Sequence, residues 1–351
     1  MKWIRYFVVL VVWTNYYAVF SQETKQTETT PKMNSKFCLA IHGGAGNMLK
    51  KGLTPEKETE YLNTMKVALQ KGYEMLTQGS EAVDVVEAVI KILEDSPLFN
   101  AGKGSVFSHD GTNEMDAAIM DGKSLDAGAV ATVRKIKNPI SAAKAIMRKS
   151  KFVFLSGKGA ENFAALNNIE IVDSSYFYTQ ARWDEYLKVK DSKKTKLDHD
   201  NSSGMVEPFN SSSDKYGTVG CVVLDGFGNL AAGTSTGGTV NKDYNRIGDS
   251  PIIGAGTYAN NKTCAVSCTG HGEDFIKLVA AYDVSALMEY KKLKLKTASK
   301  RVIKKIEGIK GRGGLIAVDH KGNISMEFST NGMFRGAVDK NGKMEVYIYK
   351  N

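Results

Sequence analysis

The chain has 351 residues, 42% of them hydrophobic and 24% charged, with a formal net charge of +9. This is the make-up of an ordinary globular protein, long enough to bury one large core or two smaller ones, and composition alone assigns it no function. Four cysteines, Cys38, Cys221, Cys264 and Cys268, are too few and too unevenly spread for a disulfide framework. Cys264 and Cys268 also lack the CxxC spacing of a zinc site, so all four read as buried free thiols.

In chain order, Lys2 and Arg5 precede the apolar run "YFVVLVVW" and a polar "QETKQTETTPK". This is the layout of a secretory signal over residues 1–21, cleaved after Ser21, with a polar leader over 22–35. An uncleaved membrane anchor is the rival reading. Thr14 and Asn15 break the apolar run well short of the ~20 residues a span needs, and no later segment is long and apolar enough. Export to a periplasm or to the extracellular space follows. The sequons at Asn201, Asn210, Asn261 and Asn323 carry meaning only in a eukaryotic host.

"FCLAIHGGAG" reads as a buried strand entering a glycine turn. The next segment has apolar residues at helical spacing, Thr54 as N-cap, Pro55 at the first helical position, Glu56 and Glu58 in the first turn, and Gly79 as the stop. Lys57 stands where a capping box needs Glu or Gln. Ser80 is the expected cap of a second helix, "EAVDVVEAVIKILEDS". "MDAAIMDG" alternates like a strand, "NPISAAKAIMRKS" reads as a helix with Pro139 near its start, and "FVFLSGKGAENFAAL" as strand, turn and helix. In the last, Gly157-x-Gly159 is a weak dinucleotide signal, because Asn162 stands where the third glycine belongs.

From about 191 to 215 the periodicity vanishes in favour of Lys, Ser, Asp and Asn, the composition of a disordered linker. Order resumes at Thr218 with strands "TVGCVVLD" and "NLAAGTS", a helix in "EDFIKLVAAYDVSALMEY", a basic helix between Lys291 and Arg312, and three closing strands, "GGLIAVD", "NISMEFS" and "MEVYIY". The basic helix has Val302, Ile303, Ile306 and Ile309 near helical spacing and no aromatic residue to stack a base. It reads as an amphipathic helix with a solvated face, not a nucleic-acid surface. Strands and helices come in blocks, which favours stacked helix and sheet layers over βαβ alternation.

The resumption at Gly217-Thr218 carries the chemistry. A threonine hydroxyl needs a base, and its own α-amino group, with a pKa near ~8, can serve if the preceding peptide bond is cut. A flexible linker ending in glycine accommodates such a cut. The structural alternative is that Gly217-Thr218 merely starts a strand.

The surrounding blocks weigh against that alternative. "GTVG", "TSTGG", "RIGDSP" and "TGHGE", in this order, together with "AIHGGAG", "ILEDSPLFNAGKGSVFSHDGTNEMDAAIMDG" and "GGLIAVDHKGNISMEFSTNGMFRG", resemble the plant-type L-asparaginase and isoaspartyl peptidase family of N-terminal nucleophile hydrolases. The resemblance implies an α+β fold, a four-layer αββα sandwich. It implies autocleavage between Gly217 and Thr218 into an α subunit (36–217, including the linker) and a β subunit (218–351), within one structural domain and paired as a homodimer of αβ units. Thr218 matches the nucleophile, Thr236 the assisting hydroxyl, Asn100 an asparagine beside the nucleophile, and Thr269 and Gly270 the oxyanion hole. Arg246 matches the grip on the substrate α-carboxylate, Asp249 the partner of its α-ammonium, and Gly272 a further substrate contact.

The resemblance also implies a sodium loop in which the backbone carbonyls of Leu93, Glu94, Ser96, Phe99, Ala101 and Lys103 hold the ion. No organic cofactor, nucleic-acid partner or membrane association after signal removal is implied. Thr236-Gly237-Gly238 and His271 point to the asparaginase and isoaspartyl peptidase branch, acting on L-asparagine and β-aspartyl dipeptides. Glycosylasparaginase activity and a non-catalytic binding paralogue are the alternatives. Cys221 and Asn245 depart from the family pattern, and Asn245 bears on how Arg246 is presented.

Overall fold

The computed structural model describes residues 36–48, 53–190 and 217–350. The expected signal, the leader and the linker lie outside the described residues.

Twelve strands form two sheets among the described residues. The larger contains β1 (Cys38–Gly46), β2 (Met115–Asp121), β3 (Ala127–Val133), β4 (Phe154–Ser156), β5 (Val219–Leu224), β6 (Leu230–Thr236), β11 (Gly332–Val338) and β12 (Met344–Tyr349), in the order β12-β11-β1-β5-β6-β2-β3-β4. The smaller contains β7 (Thr257–Ala259), β8 (Cys264–Gly270), β9 (Gly313–Asp319) and β10 (Ile324–Phe328), in the order β10-β9-β8-β7. Every pairing is antiparallel except β3 with β4.

The central strands read as unbroken apolar runs because both faces are covered. In β5, Val219, Cys221 and Val223 point into the core beneath the helices α1 (Pro55–Thr77), α2 (Ala82–Glu94) and α3 (Pro139–Lys149), while Val222 and Leu224 point into the core between the sheets. A third core, with Val266, Cys268, Val302 and Ile306, lies between the smaller sheet and the helices α7 (Ala280–Lys291) and α8 (Leu295–Gly308). Three apolar layers between four layers of structure make the expected α+β αββα sandwich. The helices α4 (Gly157–Leu166), α5 (Gln180–Val189) and α6 (Gly272–Leu278) complete the set. All four cysteines are buried and free.

Several boundaries differ from expectation, each for a local reason. Thr54 does cap α1, accepting from the Lys57 N–H at 3.3 Å, but Ser80 does not cap α2. That cap comes from a distant strand end, where Asp225 Oδ2 accepts the Ala82 N–H at 3.0 Å. The helix expected after Glu273 is two, α6 and α7, split at Val279 in a left-handed conformation with φ 48°. The N–H groups of Ala281 and Tyr282 donate to the carbonyls of Ala255 and Gly254 at 3.1 and 2.8 Å, and this tertiary demand breaks the helical ladder. Ile309 falls past the end of α8 and is exposed, unlike Val302, Ile303 and Ile306. The closing strands number four, because "GMFRGAV" pairs between β1 and β12.

Candidate active site

A tight turn fixes the centre of the site. Asp225 Oδ1 accepts the N–H groups of Phe227 and Asn229 at 2.9 and 2.8 Å, closing the link between β5 and β6. Those strands then pair in antiparallel register with Val219 opposite Ser235. One residue further, Thr218 faces Thr236, and the Thr218 hydroxyl donates to Thr236 Oγ1 at 3.0 Å. Thr236 Oγ1 also accepts the Gly238 N–H at 3.0 Å, so both its lone pairs are directed.

Asn100 braces this turn from behind. Its Nδ2 donates to the Gly238 carbonyl at 2.7 Å, its carbonyl accepts the Gly237 N–H at 3.0 Å, and its Oδ1 accepts the Val106 N–H at 3.0 Å. A β-carbon at Gly237 would lie 2.3 Å from Asn100 Oδ1, which explains the glycine.

Thr218, Thr236, Arg246, Asp249, Thr269 and Gly270 all line one cleft, together with Gly217. Gly272 stands at its wall: a β-carbon there would come 2.9 Å from both Arg246 Nη2 and the Asp249 nitrogen. Asn100 does not line the cleft and acts on it through the turn.

The charged groups divide unequally. Arg246 donates from Nε and Nη2 to the two Glu273 oxygens at 2.9 and 2.8 Å, a bidentate pair that sequence reasoning missed. Burial works against ionisation of Glu273, yet the hydrogen bonds and charge of Arg246 hold its carboxyl at about 2. Nη1 has no hydrogen bond among the described residues, so the Nη1–Nη2 edge is left for an incoming carboxylate. Asp249 is buried, and its Oδ2 has no partner among the described residues. Burial pushes it up to about 7, against the opposing charge of Arg246. Asn245 sits in the left-handed region at φ 53°, a conformation Asn tolerates, and its amide turns away to donate to Glu114 Oε1 at 3.1 Å. Arg246 therefore keeps its approach to the cleft despite the side chain before it.

His42 was also missed, although "HGGAG" had been noticed. Its Nδ1 lies 2.9 Å from the Thr218 carbonyl oxygen and its Nε2 2.9 Å from Ser267 Oγ. A carbonyl only accepts, so Nδ1 carries the proton and Nε2 accepts from Ser267. Burial lowers the imidazole to about 3, with the bond to Thr218 opposing, and the ring is neutral. A β-carbon at Gly220 would lie 2.3 Å from Nε2, and one at Gly44 would lie 2.4 Å from the Gly217 nitrogen. The glycines of β1 and β5 thus let His42 and the Gly217-Thr218 bond pack together.

The residues that the resemblance places in a sodium loop run from the end of α2 into the turn after it. Leu93 and Glu94 lie in the last turn of α2, where carbonyls stand past the last intrahelical donor and the helix dipole favours a cation. A short 3₁₀ turn folds the following loop back: a β-carbon at Gly102 would lie 2.4 Å from the Glu94 oxygen, and one at Gly104 would lie 2.0 Å from the Phe99 oxygen. The Glu94 and Phe99 oxygens thus lie on the inner side of this turn, and carbonyl oxygens are the ligand type that a hard cation would take. Lys103 points its ammonium over the Tyr176 ring at 5.1 Å, leaving only its carbonyl for such a role. No group of three or more His, Cys, Asp or Glu able to hold a metal occurs among the described residues.

Residues 35–348 match the sequence model of a family described as Asparaginase. A Dictyostelium discoideum protein is 48% identical over 91% of this chain and 100% of its own length. A Salmonella typhimurium protein named isoaspartyl peptidase is 46% identical, covering 86% of this chain and 95% of its own. A Rattus norvegicus protein named isoaspartyl peptidase/L-asparaginase is 42% identical, covering 88% of each.

Proposed function

The chain belongs to the asparaginase family and is a hydrolase, and from that membership we propose that it hydrolyses L-asparagine and β-aspartyl peptides through Thr218. The observation that carries this reading is the Thr218–Thr236 hydroxyl pair in a cleft that also presents a guanidinium edge and a buried carboxylate with one oxygen unpartnered among the described residues.

Maturation comes first. Thr218 Oγ1 attacks the Gly217 carbonyl, the peptide C–N bond breaks as an ester forms, and the proton lost from the hydroxyl passes to the departing nitrogen, which becomes the Thr218 α-amine. Water then hydrolyses the ester, leaving a Gly217 carboxylate and a free hydroxyl. The α-amine, with an ordinary pKa of ~8, is the base that the hydroxyl lacks in the single chain.

In turnover, Arg246 takes the α-carboxylate on its free edge and Asp249 takes the α-ammonium. These two contacts place the β-carbonyl above Thr218, whichever amine it carries. Thr218 Oγ1 adds to that carbon while its proton passes to the α-amine. The hydroxyl of Thr269 and the N–H of Gly270 face the developing oxyanion, where one such donor contributes ~3–4 kcal/mol. Ammonia or the amino-acid amine leaves with the proton, and water releases aspartate from the ester. A sodium ion held by the carbonyls of Leu93, Glu94, Ser96, Phe99, Ala101 and Lys103 would supply only fixed positive charge that braces the loop behind Asn100. The active form is a dimer of αβ units.

The test is an intact mass spectrum with N-terminal sequencing of the expressed chain beside a Thr218→Ala control, then assays on L-asparagine, a β-aspartyl dipeptide and glycan-linked asparagine. Two chains, the smaller starting Thr-Val-Gly-Cys, with an uncut control and turnover of the first two substrates, are expected. A single inert chain would reject the reading.

A further inference from the structure

At the opposite end of β8 from Thr269 and Gly270, a second groove opens between the α7–α8 connection, the turn before β8 and the β9–β10 turn. Gly270 lies seven residues along the strand from its edge at Thr263, a span of about 20 Å at the usual rise. Lys262, Lys292, Lys294, Lys296 and Lys321 line it. No ion pair engages any of these five among the described residues, whereas Lys305, further along α8 than Lys296, pairs with Asp283 at 2.6 Å.

Only two carboxylates share the lining, Glu289 and Asp319. Asp319 is buried and already committed, accepting the N–H groups of Lys321 and Asn323 at 2.9 Å and the Asn323 side-chain amide at 2.8 Å. The groove therefore carries a positive charge that its own walls leave largely uncompensated.

Two more features define what fits. Helix α8 opens here after Lys294, with no side-chain cap and no acidic residue in its first turn, so its first N–H groups add to the attraction for an anion. Met288, Leu293, Leu295 and Ile324 supply an apolar lining between the ammonium groups. The lining contains no arginine for a bidentate phosphate grip and no tyrosine, tryptophan or phenylalanine on which a base could stack. Point charges on flexible stems around an apolar groove suit carboxylates interspersed with aliphatic side chains.

We propose that this groove binds an acidic peptide segment, its carboxylates on the five lysines and its aliphatic side chains against Met288, Leu293, Leu295 and Ile324. The site is independent of the catalytic cleft, so its failure and the failure of the functional reading are read separately.

The experiment uses the full mature chain and a fluorescein-labelled peptide alternating Glu and Leu, followed by anisotropy at low and at about 0.15 M salt. Exposed ion pairs contribute modestly one by one and add when several are lost together, so a Lys292→Gln, Lys294→Gln, Lys296→Gln variant should bind about tenfold more weakly. A Lys262→Gln, Lys321→Gln variant removes charge from the other wall and should shift affinity the same way if the first variant folds poorly. Both should hydrolyse L-asparagine at the wild-type rate. Unchanged peptide affinity in both variants would overturn the proposal. So would tighter binding of a DNA oligonucleotide or phosphatidylserine vesicles than of the peptide, or equal binding of a Glu–Ser peptide.

Discussion

Asp249 should couple activity and stability in opposite directions. Its carboxyl is buried, half unpartnered and raised from 3.8 to about 7. A folded-state value above the unfolded one means that the folded chain binds the proton more tightly. Stability is therefore highest with Asp249 protonated and declines as pH rises from about 4 through about 7. That displacement corresponds to about 4 kcal/mol of fold stability lost at pH 8. On the proposed mechanism the substrate's ammonium is the missing partner, so the same ionised carboxylate that strains the empty enzyme would serve binding.

On the proposed mechanism two groups must then be deprotonated in the free enzyme, Asp249 and the Thr218 α-amine that cleavage would create. Well below pH 7, kcat/KM for L-asparagine should fall about a hundredfold per pH unit, whereas kcat should fall only about tenfold, because bound substrate keeps Asp249 ionised. Asp249→Asn should lower kcat/KM by about 100-fold, the scale of losing a buried charged contact. It should also raise the Tm at pH 8, with the gain shrinking as the pH approaches 5. Steady-state kinetics and thermal unfolding across about pH 5.5–8.5 read both halves. A variant less stable than wild type at pH 8, together with parallel kcat and kcat/KM profiles, would refute the reasoning.

Glu273→Gln removes the anion that holds Arg246. Because Glu273 is half exposed, the loss is discounted to roughly 1 kcal/mol. Steady-state assays should show KM for L-asparagine rising about fivefold with kcat nearly unchanged. Gly44→Ala would place a β-carbon 2.4 Å from the Gly217 nitrogen at a backbone φ of 108°. A time course on denaturing gels should show self-cleavage slowed at least about tenfold; wild-type processing would contradict the packing argument. Asp225→Ala deletes the cap of α2 and two turn hydrogen bonds in a buried position. Thermal or urea unfolding should show a loss of about 2–3 kcal/mol.

The sequence revealed the layers better than the edges of the elements. β5 and β6 were legible because Val, Leu and Ala runs bounded by turns allow little else, and Thr54 was legible as a cap because capping is local. Ser80 misled for the opposite reason: the acceptor that caps α2 is Asp225, 143 positions away along the chain, and no local pattern points to it. Val279 misled because its left-handed backbone is imposed by carbonyls at 254 and 255 that the sequence does not show to be near. The pairing of Thr218 with Thr236 lies between these cases. A reader of the sequence can find both threonines, but only the register set by the 225–229 turn brings their hydroxyls to 3.0 Å.

His42 and Glu273 escaped notice because each acts through a residue the motifs already named. Behind the nucleophile, Thr257 Oγ1 donates to Thr234 Oγ1 at 2.6 Å, and Thr234 and Ser267 hydroxyls meet at 2.7 Å. The Thr257 and Thr234 hydroxyls also reach the carbonyls of Ser250 and Gly256 at 3.0 and 3.2 Å, whereas Ser267 must donate to His42 Nε2 and His42 Nδ1 to the Thr218 carbonyl, so the last two links point toward Thr218. The network ends on the peptide plane of Thr218, which fixes where its hydroxyl can point. Because burial holds the His42 imidazole down at about 3, this brace does not titrate with the catalytic groups. On the proposed mechanism the catalytic pH response belongs to Asp249 and the α-amine that cleavage would create, while Glu94, pushed up to about 8 by burial at the end of α2, titrates in the same range and adds to the pH dependence of stability.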